Sequence, residues 1–194
     1  GTFDSKLKTE PERESFRKAL SLLIDRNYIV DSVANNGATP ANAFVSSGLL
    51  EPDGKTEFIA KNGENGDGKG YYSVAAADQD SNVASAIATI KSLGYNYDET
   101  KKVFTDIPAF DYIYNTGTGH QKIAEYIQGA FAKYGITMNL SSQEWATFVE
   151  TRKAGDYSCS RNGWLCDYND PISMLDMWVS NSGNNDVGFG KQPL

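Results

Sequence analysis

With 194 residues, 40% hydrophobic and 22% charged, the chain is long enough for one domain, residues 1–194, built around a full hydrophobic core. Its 25 acidic against 18 basic residues leave a net charge of −7 and no basic run, which argues against nucleic acid as a partner. No window approaches the ~18 apolar residues of a membrane span. No secretory signal segment is evident, and a start at Gly1-Thr2-Phe3 reads as a cut through a longer protein.

The first element is an amphipathic helix. Phe16, Ala19, Leu20, Leu23 and Ile24 recur at helical spacing, and Pro11, Glu12 and Glu14 suit the first turn. Asp25 then caps a second helix carrying Ile29 and Val33. Residues 35–75 are rich in turn formers. Within them Gly63, Gly68 and Lys69 have the spacing of a phosphate loop, but Gly70 stands where Ser or Thr would hold magnesium. A calcium loop starting at Asn65 fails in the same way, with Ala76 in place of the bidentate glutamate. The segment reads as a solvated surface loop.

Val83, Ala86, Ile87, Ile90 and Leu93 mark another helix, with Gly94 at its C′ position. A strand follows over Phe110 to Asn115. A helix over 118–134 comes next, with Ile123, Ile127, Phe131 and Tyr134 on one side and Gly135 closing it. A second strand spans 136–140. Strand, helix and strand in this order predict a βαβ unit, hence an α/β fold. A short helix with Trp145, Phe148 and Val149, a strand near Tyr157, and a last helix from Pro171 through Met174, Leu175 and Trp178 complete the chain.

Two cysteines and one histidine match no zinc pattern, so neither a metal nor another cofactor is expected. The cysteines do permit one local bridge. A hairpin turning at Asn162-Gly163 would set Cys159 opposite Cys166, within disulfide reach.

The most informative stretch is residues 160–171. Arg161, Trp164, Asp167 and Asp170 gather around Gly163, and Pro171 ends the run. Polar and aromatic groups concentrated in a loop on a rigid scaffold suit recognition better than folding. The order Arg161-Asn162-Gly163-Trp164-Leu165-Cys166-Asp167-Tyr168-Asn169-Asp170-Pro171 resembles the signature of bacterial oligopeptide-binding proteins, solute-binding family 5. These are the extracytoplasmic receptors of peptide ABC importers. Further blocks are similar in the same order: Arg17-x-Ala19 to Ile24-Asp25-Arg26, Tyr114-Asn115-Thr116 with His120, Gln143-Glu144-Trp145 with Thr151-Arg152 and Gly155, and Ser180 through Asn185.

The resemblance implies one lobe of a type II periplasmic-binding-protein fold, a mixed sheet flanked by helices, with the other lobe outside this chain. It implies capture of extended peptides between two lobes, transporter membrane subunits as partners of the full-length protein, and an extracytoplasmic location, periplasmic or lipid-anchored. Asp167 takes the position that receives the peptide's α-ammonium. Trp164 belongs to the ligand bed. Arg161 and His120 match positions that meet the carboxylate end of short peptides in some relatives. The resemblance also implies a strand running into a binding loop at Asn162-Gly163, against the hairpin.

Each residue has a plainer reading. Asp167 alone reads as a loop-capping aspartate, Trp164 as a core aromatic, His120 as an exposed histidine near a helix N-terminus, and Asp170-Pro171 as the end of the loop. A peptide-processing hydrolase using Asp167, Asp170 and His120 as acid–base groups is a rival, although no nucleophile motif or metal site accompanies them. A structural or signalling module without ligand is a third.

Overall fold

A computed structural model describes residues 4–62 and 70–190, so the glycine-rich stretch 63–69 weighed above lies outside the described residues. The chain forms two compact units. The first comprises Gly1–Pro40, Val74–Val149 and Tyr157–Arg161; the second comprises Ala41–Ser73, Glu150–Asp156 and Asn162–Leu194.

In the first unit, helix α1 (Glu10–Leu22) starts at a capping box. Thr9 Oγ1 accepts from the Glu12 amide, and the Glu12 carboxylate accepts from the Thr9 amide at 2.7 Å. Its expected stripe faces inward, with Phe16 and Ala19 buried along with Leu23 at the C-cap. Asp25 caps α2 (Arg26–Tyr28), its carboxylate accepting from the Tyr28 amide at 3.0 Å. The helix then widens into a π-helical turn over Ile29–Ala34, ended by Asn35 in the left-handed region.

Helix α4 (Gln79–Ser92) packs on α1 and buries Ala86 and Ile90. The ribbon that follows, β1 (Tyr97–Asp98) paired antiparallel with β2 (Val103–Phe104), is too short to show any alternation in sequence. The βαβ unit is present: β3 (Phe110–Asn115), α5 (Thr118–Ala132) and β4 (Met138–Gln143). The two strands pair in parallel from Phe110–Met138 to Asn115–Gln143. β4 begins later than its hydrophobic pattern suggests, because the Ile136 amide is engaged by the Phe131 carbonyl in the turn that ends α5. Strand β5 (Cys159–Ser160) joins the other side of β3, again parallel, giving the order β4-β3-β5. Phe104, Phe110, Phe131, Ile90 and Ile136 form the core against these strands.

β5 settles the local question at the cysteines. It runs beside β3 with Cys159 opposite Tyr112 and does not fold back at Asn162-Gly163; both cysteines are free.

Helix α6 (Trp145–Ala154) carries the chain from the first unit's residues to the second's. The second unit holds a short helix α3 (Phe58–Lys61) after an isolated bridge between Leu50 and Glu57. Its last helix is brief: α7 (Ile172–Leu175) tightens into a 3₁₀ turn over Asp176–Trp178. Trp178 sits among aromatic rings, 5.2 Å from Phe44 and 5.5 Å from Phe189 between centroids.

Candidate functional site

In the second unit the signature loop is tied to itself and to α7. Arg152 fixes its root, donating from a guanidinium nitrogen to Asn162 Oδ1 at 3.1 Å, while Asn162 Oδ1 also accepts from the Gly163 amide at 2.8 Å. At the far end the Asp170 carboxylate accepts from the Ile172 amide at 2.9 Å, and the Asp170 carbonyl accepts from the Ser173 amide at 3.0 Å. With Pro171 supplying a helical φ, Asp170 therefore ends the loop and starts the helix.

Between these ends stand Trp164 and Asp167, and both reach Ser173. The Trp164 indole N–H donates to the Ser173 carbonyl, and the Asp167 amide donates to Ser173 Oγ, each at 2.8 Å. Trp164 is half-buried, as suits a wall that is also part of the packing. Asp167 is exposed, and its carboxylate makes no hydrogen bond or ion pair with any described residue. Leu165, 88% exposed, and Tyr168, 52% exposed, flank it as largely apolar surface that the described residues leave open.

The other two candidates lie in the first unit, at the carboxyl ends of the parallel strands, where α/β sheets commonly bind ligands. The Arg161 amide extends the β5 ladder by donating to the Ile113 carbonyl at 2.9 Å. Its guanidinium donates to Asn115 Oδ1, at the end of β3, at 3.1 Å. His120 occupies the first turn of α5, whose N-cap Gly117 supplies no side-chain bond. Burial, and then the Arg161 cation, hold the His120 pKa below the ordinary imidazole value. The structure thus pairs Trp164 with Asp167 through Ser173 in one unit and brings His120 under the influence of Arg161 in the other. A groove of about 450 Å³ elsewhere in the first unit is lined by apolar residues such as Leu20, Ile24, Tyr112 and Ile127; none of the four candidates lines it.

The family described as bacterial extracellular solute-binding proteins, family 5 Middle, matches residues 7–186. The dipeptide-binding protein DppE of Bacillus subtilis is 30% identical over 182 residues, covering 93% of this chain and 30% of that protein. The periplasmic oligopeptide-binding protein OppA of Salmonella typhimurium is 30% identical over 179 residues, covering 89% of this chain and 28% of that protein. Among solved structures, Haemophilus influenzae OppA in complex with RPPGFSPFR superposes with a TM-score of 0.70 at 29% identity, covering 95% of this chain and 33% of that one. The Escherichia coli murein tripeptide binding protein MppA gives 0.70 at 25% identity, covering 97% and 33%. The chain therefore spans about a third of the length of these relatives. With the match running almost from end to end and the α/β fold shared, this chain belongs to the bacterial extracellular solute-binding proteins of family 5.

Proposed function

We propose that residues 1–194 are a ligand-binding lobe of the substrate-binding component of an oligopeptide ABC importer. The complete protein works outside the cytoplasm, in the periplasm or lipid-anchored at the cell surface. It captures extended peptides between two lobes and delivers them to the transporter's membrane subunits. Asp167 receives the peptide's α-ammonium, and Trp164 forms part of the bed beneath the first residue. Arg161 and His120 serve the carboxylate end of short peptides.

The observation that carries the reading is the contrast between the loop's two aspartates. The carboxylate of Asp170 is used within the loop, whereas that of Asp167 is uncommitted although its own backbone is anchored. An anchored carboxylate with open lone pairs makes short, charge-assisted hydrogen bonds to an ammonium. Once a second lobe covers it, the same carboxylate disfavours peptides whose amine is blocked, since a buried charge would stay unpaired. Main-chain hydrogen bonding along an extended peptide, with hydrated pockets for side chains, accounts for tolerance of peptide sequence.

The test is calorimetry on the full-length receptor. Asp167→Asn is expected to weaken free-amine peptides about a hundredfold. N-acetylated peptides, weak on the parent, are expected to change little. Equal losses for both ligand classes would give Asp167 a structural role.

A further inference from the structure

We infer that Ser173 is a positioning residue for the peptide-amine site, holding Asp167 and Trp164 in one fixed arrangement. The inference rests on the reading of Asp167 as the ammonium receptor and names the residue on which that site is built.

Ser173 is fully buried, at 0% exposure; among the described residues Asn185, at 3%, is the other buried polar one. A buried hydroxyl is tolerated only when it is hydrogen-bonded. This one is used nine residues downstream of Trp164 and six downstream of Asp167. Its Oγ accepts from the Asp167 amide and its carbonyl accepts from the Trp164 indole, both at 2.8 Å. Its own amide is bound by the Asp170 carbonyl at 3.0 Å.

The division of labour among these bonds matters. The contact with Asp167 consumes the backbone N–H and leaves the carboxylate, so the main chain is held while the charged end stays available. Trp164 is held through its ring edge, which leaves the ring faces for packing or ligand. The Trp164 ring and the Asp167 backbone therefore move with a single buried residue at the start of α7. A carboxylate carried on a backbone fixed in this way has less freedom to lose when an ammonium arrives, and that is how preorganisation adds affinity. Removing the hydroxyl alone should loosen Asp167 while sparing Trp164, because the carbonyl remains.

The experiment uses the full-length receptor and titrates trialanine and N-acetyl-trialanine into the parent, Ser173→Ala, Ser173→Thr and Asp167→Asn. Ser173→Ala is expected to weaken trialanine about tenfold, the scale of one lost hydrogen bond to a partly buried donor, and to leave the acetylated peptide within about twofold. Ser173→Thr, which keeps the hydroxyl, is expected to restore the preference for the free amine. Parallel losses for both peptides, with a lower melting temperature, would reduce Ser173 to a packing residue. Loss of the free-amine preference in Asp167→Asn but not in Ser173→Ala would overturn the inference and spare the reading of Asp167. An unchanged preference in Asp167→Asn would overturn both. Should the serine variants fail to fold, amide hydrogen exchange in the unmutated receptor decides. Protection of the Asp167 amide without peptide supports the clamp, and exchange as fast as that of Asn169 overturns it.

Discussion

Arg152 Nε donates to a carboxylate oxygen of Asp186 at 2.7 Å, and the two side chains retain only 14% and 7% of their full exposure. The same guanidinium reaches Asn162 at the root of the signature loop. A single cation thus joins helix α6, the root of the loop and Asp186 within the second unit.

Breaking that tie should cost stability. Arg152→Ala or Asp186→Asn is expected to destabilise the protein by roughly 2–4 kcal/mol, the range for removing one partner of a largely buried charged pair. Urea denaturation should show a lower midpoint with an unchanged slope. A midpoint equal to the parent's would mean water replaces the lost partner without penalty.

A carboxylate role for Arg161 and His120 makes their importance depend on the ligand's end group and length. Each residue of an extended peptide adds about 3.3–3.6 Å, so only one or two lengths suit a given cation. Arg161→Ala should penalise one short length class of free-acid peptides and leave the amidated forms of that class unaffected; His120→Ala should act more mildly. A panel from two to six residues, titrated as acids and amides, checks this. Uniform losses would assign both residues to shaping the lobe, through the Asn115 contact in the case of Arg161.

His120 also sets a pH dependence of stability. Its folded pKa is depressed, by burial first and by Arg161 second, so the unfolded chain binds the proton more readily. The resulting stability is full above the unfolded value of about 6.5 and is lost as pH falls through the lower folded value. His120 is the chain's one histidine, so the difference between parent and His120→Gln isolates it. Melting temperatures from pH 7.5 to 5 should fall more steeply in the parent; superimposed curves would contradict the assignment.

Gly135 ends α5 with φ of +75°, and a Cβ built there would lie 2.2 Å from the Phe104 carbonyl oxygen. Strain and collision act together, so Gly135→Ala should cost about 2 kcal/mol or more. A thermal melt reads this directly. A loss no greater than that of an exposed substitution would show that the α5–β4 turn can open away from Phe104.

Elements with a long hydrophobic period were legible in the sequence. The stripe from Phe16 to Ile24 faces inward as its spacing predicts, with Phe16, Ala19 and Leu23 buried and Leu20 and Ile24 partly so, and β3 spans the residues its pattern marks. The β1–β2 ribbon and α3 were not legible, because two to four residues carry no period. The π-helical turn at Ile29–Ala34 hides for another reason: its side chains follow a helical stripe while its hydrogen bonds do not. At the site, the motif marked Trp164 and Asp167 but not what holds them. Ser173 is a common residue in a short helix, and its role comes from a fold that returns it to residues six and nine positions earlier. Asn115 likewise acquires its partner only when β5 is laid beside β3.

Both units are assembled from three separate stretches of chain, interleaved along the sequence. During synthesis Ala41–Ser73 emerges long before Asn162–Leu194, so the earlier stretch has to wait for its later companions. Over that interval Val45 and Leu49, buried in the finished unit, are exposed to the surrounding solution. No single cut releases either unit whole. A nascent chain stalled before residue 162 should therefore hold its first unit nearly complete and its second unformed, which makes the signature loop among the last parts of residues 1–194 to take shape.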